Sequence, residues 1–472
     1  MSDLAELAPG GVVGRLAIED ALLVDPLSGR SGRGSIVVED GVVVAVEWAG
    51  GRAGGSMPSV VVAPAFVDLR AHVREPGGEE AGTFATELDA AAHGGFGFVA
   101  TMADTRPPVD RPEVVQRVLA AGAATASPVR TRPWGALTVG REGKVLAPLA
   151  SLASAGVVGF GDVPAPTIDP AVLRAALTEA GALGMPVVVH PDEPSLSAGA
   201  EANEGLPATI LGLQGASAAA EVSAVARAVA VLRQVSAEAP PDVRPHLHLA
   251  HLSVAGSLDA VRAARADGLR VTCDVSAAHL ALHDGWPGGD RRWSWDAAGS
   301  PWAGRRDGDA PPYHPSTRAT PPLRGPEDAI ALLAAIEDGT VDAISSDHAP
   351  ARTVDVELPF GDAVPGMTGL ETTLGLVLEA VAAGRLGLVR AMRALSLGPW
   401  RALEGGRLDL PEPGLRVGAE ANLVVFDRED AWEVSGASLR SRGHNTPLMG
   451  RSLPGGVLLT IARGRLAWSE PE

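Results

Sequence analysis

Between residues 63 and 405, apolar runs rich in β-branched residues alternate with alanine-rich amphipathic segments. A hydrophobic period that switches from two to 3.6 and back marks βα units around a parallel sheet. Eight candidate strands fit the pattern, ending near His72, Met102, Thr138, Asp162, His190, His251, Ser276 and Asp347. Eight such units closing on themselves make an α/β fold of the TIM (β/α)8 barrel type, whose chemistry sits at the C-terminal strand ends. A single histidine in an apolar strand is more often a satisfied core residue. Four chelating side chains at separate strand ends point to a site.

The flanks have a different texture. LAIEDALLVDP, GSIVVEDG and VVVAVEW within residues 16 to 62 are short strands with turns, and LVVFDRED (423 to 430) and GVLLTIARGRLAW (456 to 468) repeat them. The two ends are therefore expected to form one small β-sandwich domain, with residues 1–62 and 406–472 contributing its halves and 63–405 forming the barrel. Residues 284–318 break the barrel rhythm, with four of the nine tryptophans and much Gly, Pro, Arg and Asp. So long an aperiodic stretch is either a surface insert or a segment over the barrel mouth.

Composition excludes several classes. A formal charge of −18 disfavours nucleic acid or an anionic membrane as partner. The lone cysteine, Cys273, rules out an internal disulfide and a cysteine-cage zinc site. No apolar run is long enough to span a bilayer, and the acidic start MSDLAELAPGG is unlike a leader, so the expected location is cytoplasmic.

The string DLRAHVREPG, residues 68 to 77, carries the most chemistry. Histidines two apart at a strand end project from one side and chelate one divalent ion. Here Arg70 stands at the first position and only His72 at the second. A guanidinium stays protonated and donates no lone pair, so the pair cannot chelate in its usual form.

These blocks, with MADTRP, VVHPDE, LHLAHLSVAGSLDAVRAARADGLRVT, PPLRGPEDAIALLAAIEDGTVDAISSDHAP, PFGDAVPGMTGLETTLGLVL, VGAEANLVVFD and HNTPLMG, run nearly the whole chain. In order and spacing the chain resembles the dihydroorotases of the amidohydrolase superfamily, which close carbamoyl-aspartate to dihydroorotate. The resemblance implies one ion held by H-x-H and the aspartate of D-H-A-P, a second held by two later histidines, and a bridging carboxylate or carbamylated lysine. His72, His190, His251 and Asp347 match that set, and Arg70 does not. The family's F-S-D-D-G corresponds to FGDVP, which keeps Asp162 and puts Val163 beside it. Lys144, the one lysine, lies in the turn GREGK and is not expected to bridge. His190, His251 and Asp162 are left to hold one zinc ion or none.

Substrate recognition is implied in the same way. Of four positions that read a carboxylate in the family, Arg74 is retained, and Asp104, Thr320 and Ala351 replace the others. An aspartate repels a dianion where an asparagine would donate to it. Arg70 is expected to neutralise Asp347 or Asp162 as a fixed cation. His246 and His248 read as packing or supporting groups, and His279, His348 and His444 as structural ones.

Together these point to a dihydroorotase homologue of pyrimidine biosynthesis that lacks dihydroorotase activity and acts as a non-catalytic partner of aspartate carbamoyltransferase, in a homo- or hetero-oligomer. The alternative is an active hydrolase of a cyclic amide, dihydroorotate or another, with a mononuclear zinc site and Asp347 as general acid/base.

Overall fold

A computed structural model describes residues 9–49, 57–166, 169–297, 311–405 and 410–470. Strands β1 (Arg15–Asp25), β2 (Arg30–Glu39), β3 (Val42–Trp48) and β4 (Val60–Pro64) open the chain. The parallel region then holds β5 (Phe66–Ala71), β6 (Phe96–Thr101), β7 (Arg130–Pro133), β8 (Pro186–Val189), β9 (His246–Leu249), β10 (Val271–Ser276) and β11 (Ala343–Ser345). Strands β12 (Leu423–Glu433), β13 (Ser452–Ala462) and β14 (Arg465–Ser469) close it. Among the described residues no helix is long and apolar enough to cross a membrane.

The parallel strands form two sheets, β5-β6-β7 and β8-β9-β10-β11, in sequential order. Single bridged residues join them on both sides. Phe160 bridges Gly135 after β7 and Val187 of β8, while Ala71 of β5 bridges His348 just beyond β11. The fourth expected strand is thus one bridged residue and not a ladder. Its flanking glycines explain the close approach: a Cβ on Gly159 would lie 2.7 Å from the Pro186 carbonyl oxygen, and one on Gly161 would lie 2.6 Å from that of Val188. The third expected strand, placed to end at Thr138, stops at Pro133, and a short 3-10 turn, Val139–Arg141, follows Thr138.

The flanking strands make one seven-stranded sheet, ordered β14-β13-β12-β4-β1-β2-β3, in which both chain ends meet. Strand β4 joins them, parallel to β1 and antiparallel to β12. It spans the expected 62/63 division. Because side chains alternate along a strand, Leu23, Val62, Val425 and Ile461 share a core confined to the sheet, whereas Leu22, Val24, Val61 and Phe426 join the core of the parallel region.

Local sequence sets the helices. Helix Phe84–His93 starts at a capping box of Thr83 and Thr86, and helix Pro170–Leu183 runs from an Asp169 cap to a left-handed Gly184. In the 284–318 segment, Trp286, Trp293 and Trp295 are buried in the main core, with adjacent rings 6.0 Å apart. None of its described residues lines the central cavity. Its tryptophans find apolar partners beside the core, and 298–310 lie outside the described residues.

Candidate functional site

Arg70 projects from β5 into the centre of the parallel strands and is only 2% exposed. Its Nη1 and Nη2 donate to both carboxylate oxygens of Asp274 on β10, at 3.0 and 2.8 Å. Nε donates to Asp347 Oδ1 at 2.7 Å, and Nη2 also reaches Ser345 Oγ at 2.7 Å. His248 Nε2 lies 2.8 Å from Asp274 Oδ2, and the His251 backbone N–H donates to Oδ1 at 3.2 Å. The fork-shaped guanidinium suits this planar, bidentate arrangement.

The electrostatics follow from burial and pairing. Burial opposes the Arg70 charge, but Asp274 and Asp347 outweigh it and hold the guanidinium firmly protonated. Burial likewise works against the two carboxylates, and Arg70 overcomes it, keeping both well below the usual range. Asp68, behind the pair, accepts from the Ser346 N–H at 2.8 Å and from Ser346 Oγ at 2.6 Å, and burial pushes its carboxyl up to about 6.

The other expected ligands fall into separate groups. His72 Nδ1 sits 2.8 Å from Asp104 Oδ2, which also accepts from Arg74 Nη1 at 3.1 Å. Asp104 is held below its ordinary range: burial pushes the other way, and His72 and Arg74 prevail. Asp162 turns away from the centre and accepts from the Leu137 and Thr138 N–H groups at 2.9 and 3.2 Å and from Thr138 Oγ1 at 2.5 Å. The expected pairing of Arg70 with Asp347 is present, and the one with Asp162 is not.

His190 and His251 face each other, with ring centroids 4.6 Å apart. Burial, then His251 and Arg70, push His190 well below the ordinary value, and burial with Arg70 lowers His251 against the pull of Asp347. His190 Nδ1 and both His251 ring nitrogens have no hydrogen-bond partner; His251 Nδ1 is 3.6 Å from Asp347 Oδ2, too far for one. Glu221 fixes the loop after His251 by accepting from the N–H groups of Ser253 and Val254 at 3.0 Å each and from Ser257 Oγ at 2.7 Å. Arg74, His251 and Asp347 all have left-handed backbone, φ 72°, 38° and 50°, a cost of roughly 1 kcal/mol or more each that surrounding contacts must hold.

The residues of the expected metal set do not fit a two-ion centre. Arg70 supplies the positive charge at Asp347, His72 is taken by Asp104, and Asp162 by backbone amides. Among the described residues, no group of three or more His, Cys, Asp or Glu is gathered to hold a metal. Lys144 is exposed and pairs with Glu142. Of the substrate positions, Arg74, Asp104 and Thr320 line the central cavity, whereas Ala351 lines a neighbouring cleft. His279 ties Ser276 Oγ to the Pro321 carbonyl, and His348 pairs with Glu87, both structural roles.

Asp274 escaped the sequence reading. The available signal was an acid inside the apolar strand VTCDVS, since a buried carboxylate must find a partner. His248, read as a supporting group, serves as one by holding Asp274.

Comparison with known proteins gives concordant results. A family model described as Dihydro-orotase-like matches residues 59–239. The chain is 35% identical to a dihydroorotase of Pelotomaculum thermopropionicum over 97% of this chain and 99% of that one, and 37% identical to one of Anaeromyxobacter sp. (strain K) over 96% and 98%. A dihydroorotase of Mycobacterium tuberculosis is 37% identical over 86% of this chain and 87% of its own. Among solved structures, an L-hydantoinase from Arthrobacter aurescens superposes with a TM-score of 0.76 at 22% identity, covering 97% of this chain and 96% of that one. A dihydropyrimidinase from Brevibacillus agri gives 0.71 at 18%, with 96% and 95% covered. At such identity these two speak for the fold alone.

Proposed function

The chain belongs to the dihydroorotase family, and from that premise we propose that it serves pyrimidine biosynthesis without dihydroorotase activity, as a structural partner of aspartate carbamoyltransferase. The ring of parallel strands is read as the family's (β/α)8 barrel, flanked by a β-domain from both ends. One observation carries the loss of activity: Arg70 saturates Asp347 and Asp274 at a position that needs a neutral ligand. A guanidinium cannot bind a metal. Nor does Asp347 suit proton shuttling, since a carboxylate held far below its usual range by Arg70 is a weak base near neutrality. The partner role is supported by the full-length likeness to the family beside a rearranged centre.

A second reading has its own observation. The unpartnered ring nitrogens of His190 and His251 favour a hydrolase of some cyclic amide with one zinc ion. Each imidazole gives one ion one nitrogen, so the two histidines are two ligands, while a catalytic zinc takes three from the protein. This reading requires Asp347 to leave Arg70.

The test is direct. The purified chain, supplied with zinc, is assayed for ring opening of dihydroorotate and analysed for bound metal, then mixed with aspartate carbamoyltransferase on a sizing column at micromolar concentration. The proposal expects no turnover approaching an ordinary enzymatic rate of about 1 per second and co-migration of the two chains. Turnover with one bound zinc would replace it by the second reading.

A further inference from the structure

A cleft of about 430 Å³ shares no lining residue with the central cavity. It lies where the chain leaves helix Pro112–Ala124 and enters β7, at the N-terminal ends of the parallel strands. The central cavity is lined by His72, Ser276 and Asp347 at the C-terminal ends.

Four arginines line the cleft, Arg130 and Arg132 from β7 and Arg463 and Arg465 from the turn between β13 and β14. None of its described lining residues is Asp or Glu, although the chain has 57 acidic residues against 39 basic ones. The cleft that Ala351 lines is different. It too holds four arginines, Arg74, Arg106, Arg141 and Arg352, but Glu79, Glu80, Asp104 and Asp355 accompany them.

The protein answers little of this charge. Arg130 Nη2 reaches Glu420 at 3.3 Å, and Arg465 Nη1 donates to the Gly10 carbonyl at 2.8 Å. The guanidiniums of Arg132 and Arg463 have no hydrogen-bond or ion-pair partner among the described residues. Four cations and one carboxylate leave a surplus of three positive charges. Arg463 also occupies an unusual place for an arginine. With Gly464 it makes a two-residue turn between the paired Ala462 and Arg465, with φ 56° and 66°, where Asn, Asp or Gly is the ordinary first residue.

A concave surface of one sign concentrates counter-ions, and the guanidinium fork matches phosphate oxygens two at a time. A single phosphate, at about −1.5 to −2, falls short of the surplus, and two linked phosphates meet it. We infer that this cleft binds a small anion carrying a diphosphate group, at a site separate from the central cavity. The inference goes beyond the proposed function and holds whether or not the central cavity turns over a substrate.

Calorimetric titration of the full chain at neutral pH and low ionic strength, with pyrophosphate, orthophosphate, sulfate and ADP, tests it. Pyrophosphate should bind at least about tenfold tighter than orthophosphate or sulfate. ADP separates the two sources of the group: binding tighter than pyrophosphate assigns the site to an organic diphosphate, and weaker binding to the free ion. Arg132→Gln and Arg463→Gln should each weaken pyrophosphate by about tenfold, while Arg106→Gln in the other cleft leaves it unchanged. Without ligand, the melting temperatures of the Arg132 and Arg463 variants should not fall, because each loses only a repelled charge. Arginines that serve instead the negative end of helix Pro112–Ala124 would give variants that melt lower with unchanged pyrophosphate affinity, which would overturn the inference. So would equal binding of pyrophosphate and sulfate, an effect of Arg106→Gln as large as that of Arg132→Gln, or no binding at millimolar pyrophosphate.

Discussion

Arg70 and Asp274 stand 204 positions apart in the chain, yet the guanidinium of one grips both carboxylate oxygens of the other at 3.0 and 2.8 Å in the buried centre of the parallel strands. Removing one partner leaves an uncompensated charge where water cannot reach. Asp274→Leu should therefore destabilise the protein by about 3–5 kcal/mol, whereas Arg70→Met combined with Asp274→Leu should recover part of that loss. Denaturant midpoints of the three proteins decide it; a stable Asp274→Leu single variant would show that the pair carries little.

Arg70→His puts a chelating residue two positions before His72 and releases Asp347 from its guanidinium. After identical zinc loading and dialysis, this variant should retain about one more ion per chain than the unaltered protein. Elemental analysis supplies the answer. Equal zinc in both would mean that Asp104 keeps His72 from acting as a ligand.

Glu221 binds down the loop that follows His251 through the Ser253 and Val254 N–H groups. Glu221→Ala leaves these donors buried and unmet, which should cost about 2–3 kcal/mol in stability and alter the NMR signal of the His251 ring. A variant as stable as the parent would show that other contacts hold the loop.

His246 gives a pH dependence with a definite sign. Burial lowers its pKa to about 4, and it hydrogen-bonds Thr272 Oγ1 at 2.8 Å. In the unfolded chain a histidine titrates near 6.5, so between about 6.5 and 4 the unfolded state takes up a proton that the folded state refuses. Stability must fall as pH drops through that window, by roughly 2–3 kcal/mol from this residue. His246→Gln lacks the titration, so the stability gap between variant and parent should narrow from pH 7 to pH 5. A gap that stays constant would assign the acid sensitivity to other groups.

Much of the architecture was legible because it depends on local pattern. Apolar runs and helical faces located the parallel strands. Seven of the eight expected segments are strands, six of them ending within two residues of the marked position, since burial on both faces imposes a continuous apolar run. The fourth was legible only as VVGFGDVP, because a segment held by one bridged residue between two glycines has no periodicity of its own. The replacement at Arg70 was equally visible, as a residue type incompatible with ligation.

What the sequence by itself determined is therefore the family scaffold and the presence of a cation where the resemblance implies a metal ligand. The tertiary structure decided its partners. Asp162 is as acidic in sequence as Asp274, but its oxygens meet the amides of Leu137 and Thr138 before any cation, while Asp274 comes to face Arg70 only when β10 is brought next but one to β5, with β11 between them. A buried charge must be compensated, and which group compensates it is set by distances in space that separation along the chain does not encode.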